Sequence, residues 1–178
     1  MTASSTPTEI SPRAREIVGV ALELLEDEGP DGLSMRRIAE RVGIRAPSIY
    51  KHLPDKEALE AALISVGFER MADAFEHALA GAEDPLRALA GAYRAFAEAH
   101  PHLYRLMTDR ELKRELLTAG VEERASAPIF AAVGGDIDLA RAAWAFAHGM
   151  TILELNNRFP PDADLDAAWE RGIDAFSR

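Results

Sequence analysis

Apolar residues recur at intervals of three and four along nearly the whole chain, and no stretch alternates residue by residue as a half-buried strand requires. Ser11 and Pro12 suit the cap and first position of a helix running to about Glu28. Its stripe is Ile17, Val20, Ala21, Leu24 and Leu25, and Gly29-Pro30 stops it. Ser34 caps a short helix with Met35, Ile38, Ala39 and Val42 on one face, and Gly43 breaks it. The spacing then predicts a second short helix over Ile44 to Leu53, with Pro47 in its first turn and Ile49 and Leu53 facing inward. Pro54 ends that segment, and Asp55 caps a long helix whose apolar face carries Leu59, Leu63, Phe68, Met71, Phe75 and Leu79.

Beyond Gly81 the pattern continues. Asp84-Pro85 opens a helix to about Ala99, and His100-Pro101 breaks it and opens a shorter one to about Thr108. Roughly Glu111 to Val133 reads as helix with a break near Pro128, ended by Gly134-Gly135. Asp136 caps a helix to about Asn157, and Leu165 to Phe176 forms a last amphipathic one. The expected fold class is all-α. A three-helix helix-turn-helix domain covers residues 11–55, a helical domain covers 56–178, and residues 1–10 form a polar, disordered tail.

Composition agrees: 178 residues, 48% hydrophobic and 28% charged, suffice for a sizeable core. The absence of cysteine removes disulfides, thiolate metal sites and thiol nucleophiles. Residues 1–12 lack the apolar heart of a signal peptide, and no apolar run reaches membrane-spanning length, so the expectation is a cytoplasmic chain with no membrane partner. Net charge is −10, which alone argues against a polyanionic partner. Its distribution changes that picture. Gly32 to Lys56 holds six cations (Arg36, Arg37, Arg41, Arg45, Lys51, Lys56) against Glu40 and Asp55, a net +4 that leaves −14 for the rest. A short basic segment on an acidic body is the footprint of a local phosphate-binding surface.

Two short helices around a glycine turn, the second presenting small and basic side chains, match the geometry that places a recognition helix in the major groove. Ala39 is small where two helices cross, Gly43 permits the turn, and Ile38, Val42, Ile44 and Ile49 lock the pair. The run Leu33-Ser-Met-Arg-Arg-Ile-Ala-Glu-Arg-Val-Gly-Ile-Arg-Ala-Pro-Ser-Ile-Tyr-Lys-His-Leu-Pro-Asp-Lys-Glu-Ala-Leu59 resembles the TetR family of repressors. That family shows a Ser or Thr cap, Ile-Ala, a Val-Gly turn, a Tyr-x-His-Phe block and Lys-Glu-x-Leu. Leu53 stands here in place of the usual Phe.

The resemblance implies that Arg45, Ala46, Pro47 and Ser48 face base edges, with Arg45 the candidate guanine reader. It implies phosphate contacts from Tyr50, Lys51 and His52, and backbone contacts from Arg36 or Arg37 and from Lys56. Arg36, Arg37 and Arg41 also fit a plain solvated helix face, and Tyr50 a partly buried position. No basic residue precedes Arg13, which argues against a minor-groove arm.

In the C-terminal half, Trp144-Ala-Phe-Ala-His-Gly149 looks like the Trp-x-x-x-His-Gly pattern of one subtype of that family, and His100-Pro-His-Leu-Tyr-Arg-Leu-Met107 points the same way. The resemblance implies a small-molecule effector in place of a cofactor, and a four-helix dimer interface from the last two long helices. The candidate effector pocket is Phe68, Met71, Tyr93, Phe96, Tyr104, Met107, Trp144 and His148, any of which also fits ordinary core. Candidate dimer residues are Ala143, Ala147, Ile152, Trp169, Ile173 and Phe176, beside Gly149.

None of His52, His77, His100, His102 and His148 falls into a recognised ligand spacing, so no metal is expected. No nucleophile–base pair, paired carboxylates or phosphate loop argues for an enzyme. The expected function is a dimeric DNA-binding regulator, a repressor released from a palindromic operator on double-stranded DNA by a small apolar ligand. The acidic surface argues against an anionic effector. The competing reading is a protein-binding adaptor with a degenerate DNA domain.

Overall fold

The structure, a computed structural model, describes residues 11–177; the expected tail over residues 1–10 lies outside the described residues. Helices account for all regular structure among those residues: α1 (Pro12–Glu28), α2 (Met35–Val42), α3 (Ala46–Ile49), α4 (Lys56–Leu79), α5 (Pro85–Ala99), α6 (Pro101–Thr108), α7 (Val121–Ala132), α8 (Ile137–Leu155) and α9 (Leu165–Phe176). Single 3₁₀ turns occur at Pro30–Gly32 and Arg114–Leu116. The chain divides into two compact units, 1–68 with 100–122 and 69–99 with 123–178, so α4 gives its first half to one and its second to the other.

In the first unit, α1 begins as its sequence asks. The Ser11 hydroxyl accepts the Ala14 N–H at 3.2 Å, with Pro12 at the first position. Ile17, Leu25, Ile38, Ile49, Leu59, Leu63 and Leu103 are fully buried, and each contributes about 1.5–3 kcal/mol by leaving water. Gly29 ends α1 at φ +71, and a Cβ there would sit 3.1 Å from the His102 ring, so α6 packs closely on the end of α1. His100 Nδ1 lies 3.2 Å from Glu26 Oε1 in the same region.

The second unit is held by rings and a brace of ions. Phe75 stacks on Tyr93 at 6.5 Å, and Phe146 meets Trp169 edge-on at 5.5 Å and Phe176 at 5.8 Å. From α5, Arg94 bonds Glu154 of α8 at 2.8 Å and Asp166 of α9 at 2.6 Å, and lies 5.8 Å over the Trp169 ring. Glu154 also accepts the Trp169 indole N–H at 2.5 Å. Burial works against the Arg94 cation, but the hydrogen bonds to Asp166 and Glu154 outweigh it and hold its pKa above the ordinary value. Arg87, two turns earlier, pairs with Glu170 and Asp174 of α9.

Three boundaries differ from the periodicity. The second short helix is α only over Ala46–Ile49. Beyond it the backbone tightens, with His52 N–H bonded to the Ile49 carbonyl at 2.8 Å, and Pro54 disfavours helical backbone at Leu53. Residues 109–120 hold only the Arg114–Leu116 turn, since Leu117 is extended and Gly120 has φ +82. Conversely α7 runs through Pro128 without breaking.

Candidate functional site: a nucleic-acid interface

Ser34 opens α2 by accepting the Arg37 N–H at 3.3 Å, and Gly43 closes it at φ +74, a left-handed conformation that a side chain resists. The Ile44 N–H returns to the Ala39 carbonyl at 2.9 Å. These two caps set the turn. Ile38 and Ile49, both 0% exposed, pin α2 and α3 from beneath. What remains outward is the polar set: Arg45, Pro47, Lys51 and His52 are exposed, Ala46 and Ser48 half-buried, and Tyr50 is 50% exposed and so not core. His52 Nδ1 lies 3.4 Å from the Ser11 hydroxyl, placing the start of α1 beside the end of this surface.

The cations differ in what they already hold. Arg36 is tied to Glu40 at 2.9 Å, Arg37 to Glu28, and Lys56 to Glu60 at 3.5 Å. Among the described residues, Arg41, Arg45 and Lys51 have no ion pair. A cation without an internal partner meets a phosphate or a base without first surrendering one, so Arg45 and Lys51 are the strongest contacts this surface offers.

In the second unit, an apolar cleft, half open to solvent, is lined by Leu86, Leu89, Ala90, Tyr93, Ile129, Ala143, Trp144, Ala147 and Ile173. It has room for a water-sized occupant only, about 20 Å³. Of the pocket candidates from sequence, Tyr93 and Trp144 line it, and His148 stacks on Trp144 at 5.9 Å. Met71 and Phe96 are buried elsewhere in that unit. Phe68, Tyr104 and Met107 belong to the first unit, where Met107 packs on Gly67. The α5 wall, Leu86, Leu89, Ala90 and Tyr93, went unnamed in the sequence reading although its spacing of three, one and three is an ordinary helical face.

Ala143, Ala147, Trp169 and Ile173, proposed from sequence for a dimer contact, are buried within the chain itself, and Ile152 and Phe176 are half-buried. The large apolar side chains that α8 leaves exposed are Ile137, Trp144 and Leu153. Among the described residues no group of three or more His, Cys, Asp or Glu side chains is arranged to hold a metal, and no helix is long and apolar enough to cross a membrane.

Comparison with known proteins agrees with this geometry. The family model described as bacterial regulatory proteins, tetR family, matches residues 17–63, and that of a tetracyclin repressor-like C-terminal domain matches residues 86–176. An uncharacterized HTH-type transcriptional regulator of Mycobacterium tuberculosis is 31% identical over 163 residues, which is 86% of this chain and 74% of that protein. A solved structure of a Rhodococcus sp. RHA1 protein of unknown function shares 30% identity, covers 98% of both chains and superposes with a TM-score of 0.73. A TetR variant from Acinetobacter baumannii AYE, solved in complex with minocycline, has the same fold (TM-score 0.62, 22% identity, 90% of this chain and 92% of that one).

Proposed function

The chain belongs to the TetR family of transcriptional regulators, and from that premise we propose that it is a dimeric repressor released from a palindromic operator by a small apolar effector. In this reading residues 11–55 bind DNA, residues 56–178 bind effector and partner copy, and the protein works in the cytoplasm. The observation that carries it is the pair of unpartnered cations, Arg45 and Lys51, on an exposed α3 whose fold is fixed by caps and buried isoleucines. Two such helices in a dimer reach successive major grooves when they stand about 34 Å apart. The all-apolar wall of the α5–α8 cleft supports an uncharged effector, and a complex with minocycline is recorded for one protein of the same fold. Because the cleft is small as it stands, an effector must widen it, and a ligand preferring the widened form shifts the population toward it.

The test is selection of bound sequences from a random duplex pool, followed by titration at several salt concentrations. Inverted repeats with half-sites one helical turn apart are expected. Arg45→Ala and Lys51→Ala should each weaken binding, and Lys51→Ala should lower the slope of log K against log salt by about 0.9. Salt-independent binding, or both variants behaving as wild type, overturns the reading.

A further inference from the structure

We propose that Arg110 and Lys113, on the segment between α6 and α7, are positioning residues for DNA binding: they neutralise Glu57 and Glu60 at the start of α4, which frees Lys56 to meet phosphate. The inference rests on the DNA-binding reading above. It begins from an awkward charge. Lys56 is the cation at the N-terminal end of α4, yet the next turn of the same helix carries Glu60, whose Oε1 lies 3.5 Å from the Lys56 ammonium, and Glu57 follows it directly. A phosphate taken by Lys56 comes within about 7 Å of the Glu60 carboxylate, inside the ~10 Å screening length at 0.1 M salt. Left alone, Glu60 both recaptures Lys56 and repels the phosphate.

The other strand of this cluster supplies the remedy. Arg110 Nη1 stands 3.3 and 3.4 Å from the two Glu60 oxygens, and Lys113 Nζ is 2.7 Å from Glu57 Oε1. The hydrogen bond to Glu57 holds the Lys113 ammonium above its ordinary pKa. Glu60 is the more enclosed carboxylate, its side chain 16% exposed, while Arg110 is 67% exposed. When Lys56 turns to a phosphate, Glu60 therefore keeps a cation. The segment is fixed to α4 from beneath: the buried Ser65 hydroxyl donates to the Ala61 carbonyl at 2.9 Å and accepts the Thr118 N–H at 3.0 Å. Arg110 and Lys113 are thus held at α4 and already occupied by carboxylates, which is why they screen and do not grip the DNA.

The experiment uses the full chain and a mixed-sequence duplex of about 20 base pairs, with anisotropy titrations from 50 to 200 mM salt, a range where phosphate contacts dominate non-specific affinity. The Arg110→Ala/Lys113→Ala variant should bind about three- to tenfold more weakly at 100 mM salt, with its salt slope close to wild type. Adding Glu57→Gln and Glu60→Gln to that variant should restore most of the affinity, and the gain should exceed that from the same two glutamines in the otherwise wild-type chain. Equal gains in both backgrounds mean additive charge and overturn the proposal. So does an undiminished affinity, or a slope lowered by about 0.9 for each cation removed, which marks direct phosphate contacts. Wild-type protein that fails to bind duplex in a salt-dependent way defeats the DNA-binding reading itself. Circular dichroism of each variant excludes unfolding as the cause of weaker binding.

Discussion

Gly172 lies where α9 meets the Phe146 ring of α8. A Cβ added there falls 1.9 Å from Phe146 Cζ and within 2.6 Å of two further ring atoms. That ring is wedged against Trp169 and Phe176 and has nowhere to retreat. Gly67 on α4 meets a different neighbour, the Met107 sulfur at 2.4 Å, at the end of a flexible side chain. Both positions are helical, so alanine gains about 1 kcal/mol of helix propensity at each. Overpacking against the fixed ring should exceed that gain, making Gly172→Ala destabilising by about 1–3 kcal/mol, while Gly67→Ala stays within about 1 kcal/mol of wild type. Chemical denaturation of the two variants measures the contrast, and a neutral Gly172→Ala would disprove the assignment of Phe146 as the obstacle. Spacing alone marked neither glycine, because the atom each one meets lies elsewhere in the sequence.

At the scale of elements, α5, α8 and α9 are joined through a single carboxylate. Glu154 accepts both the Arg94 guanidinium and the Trp169 indole, and only 11% of its side chain is exposed. Glu154→Ala leaves the indole N–H without that acceptor and Arg94 with Asp166, so a loss of about 1–3 kcal/mol is expected. A thermal melt checks it, and an unchanged midpoint would show that the brace is ornamental. The same scale explains which elements were legible. The helices α1, α5, α6 and α9 begin and end within a residue or so of where Ser11, Pro85, Pro101 and Leu165 and their stop signals put them, since caps and prolines act locally. The segment 109–120 misled because charged and leucine residues there favour helix, whereas Arg110, Lys113 and Thr118 are drawn to α4 instead.

For the whole molecule, charge and apolar exposure divide the tasks. The only cluster of surplus cations suits a polyanion, and the −14 elsewhere keeps the remaining surface off it. The exposed Ile137, Trp144 and Leu153 of α8 are the apolar area offered to a second copy under the proposed function. Ile137→Glu/Leu153→Glu should shift the protein from dimer to monomer in sedimentation while leaving the melting temperature of the chain nearly unaltered. A dimer that persists in that variant would place the contact elsewhere. Changing Ala143 or Ala147 should instead lower stability, because both are buried against their own chain.

Helical class, the caps of α1, α2 and α9, and the basic run from Arg36 to Lys56 were determined by the sequence alone, because propensity, capping and charge are properties of neighbours along the chain. Which apolar residues turn inward was not: Ala143 and Trp169 read equally well as interface or core until the packing of α5, α8 and α9 assigned them to the core. The pairing of cations was likewise a tertiary decision. Arg37 reaches Glu28 and Arg110 reaches Glu60 across loops whose course no periodicity specifies, and it is this pairing that leaves Arg45 and Lys51 free among the described residues.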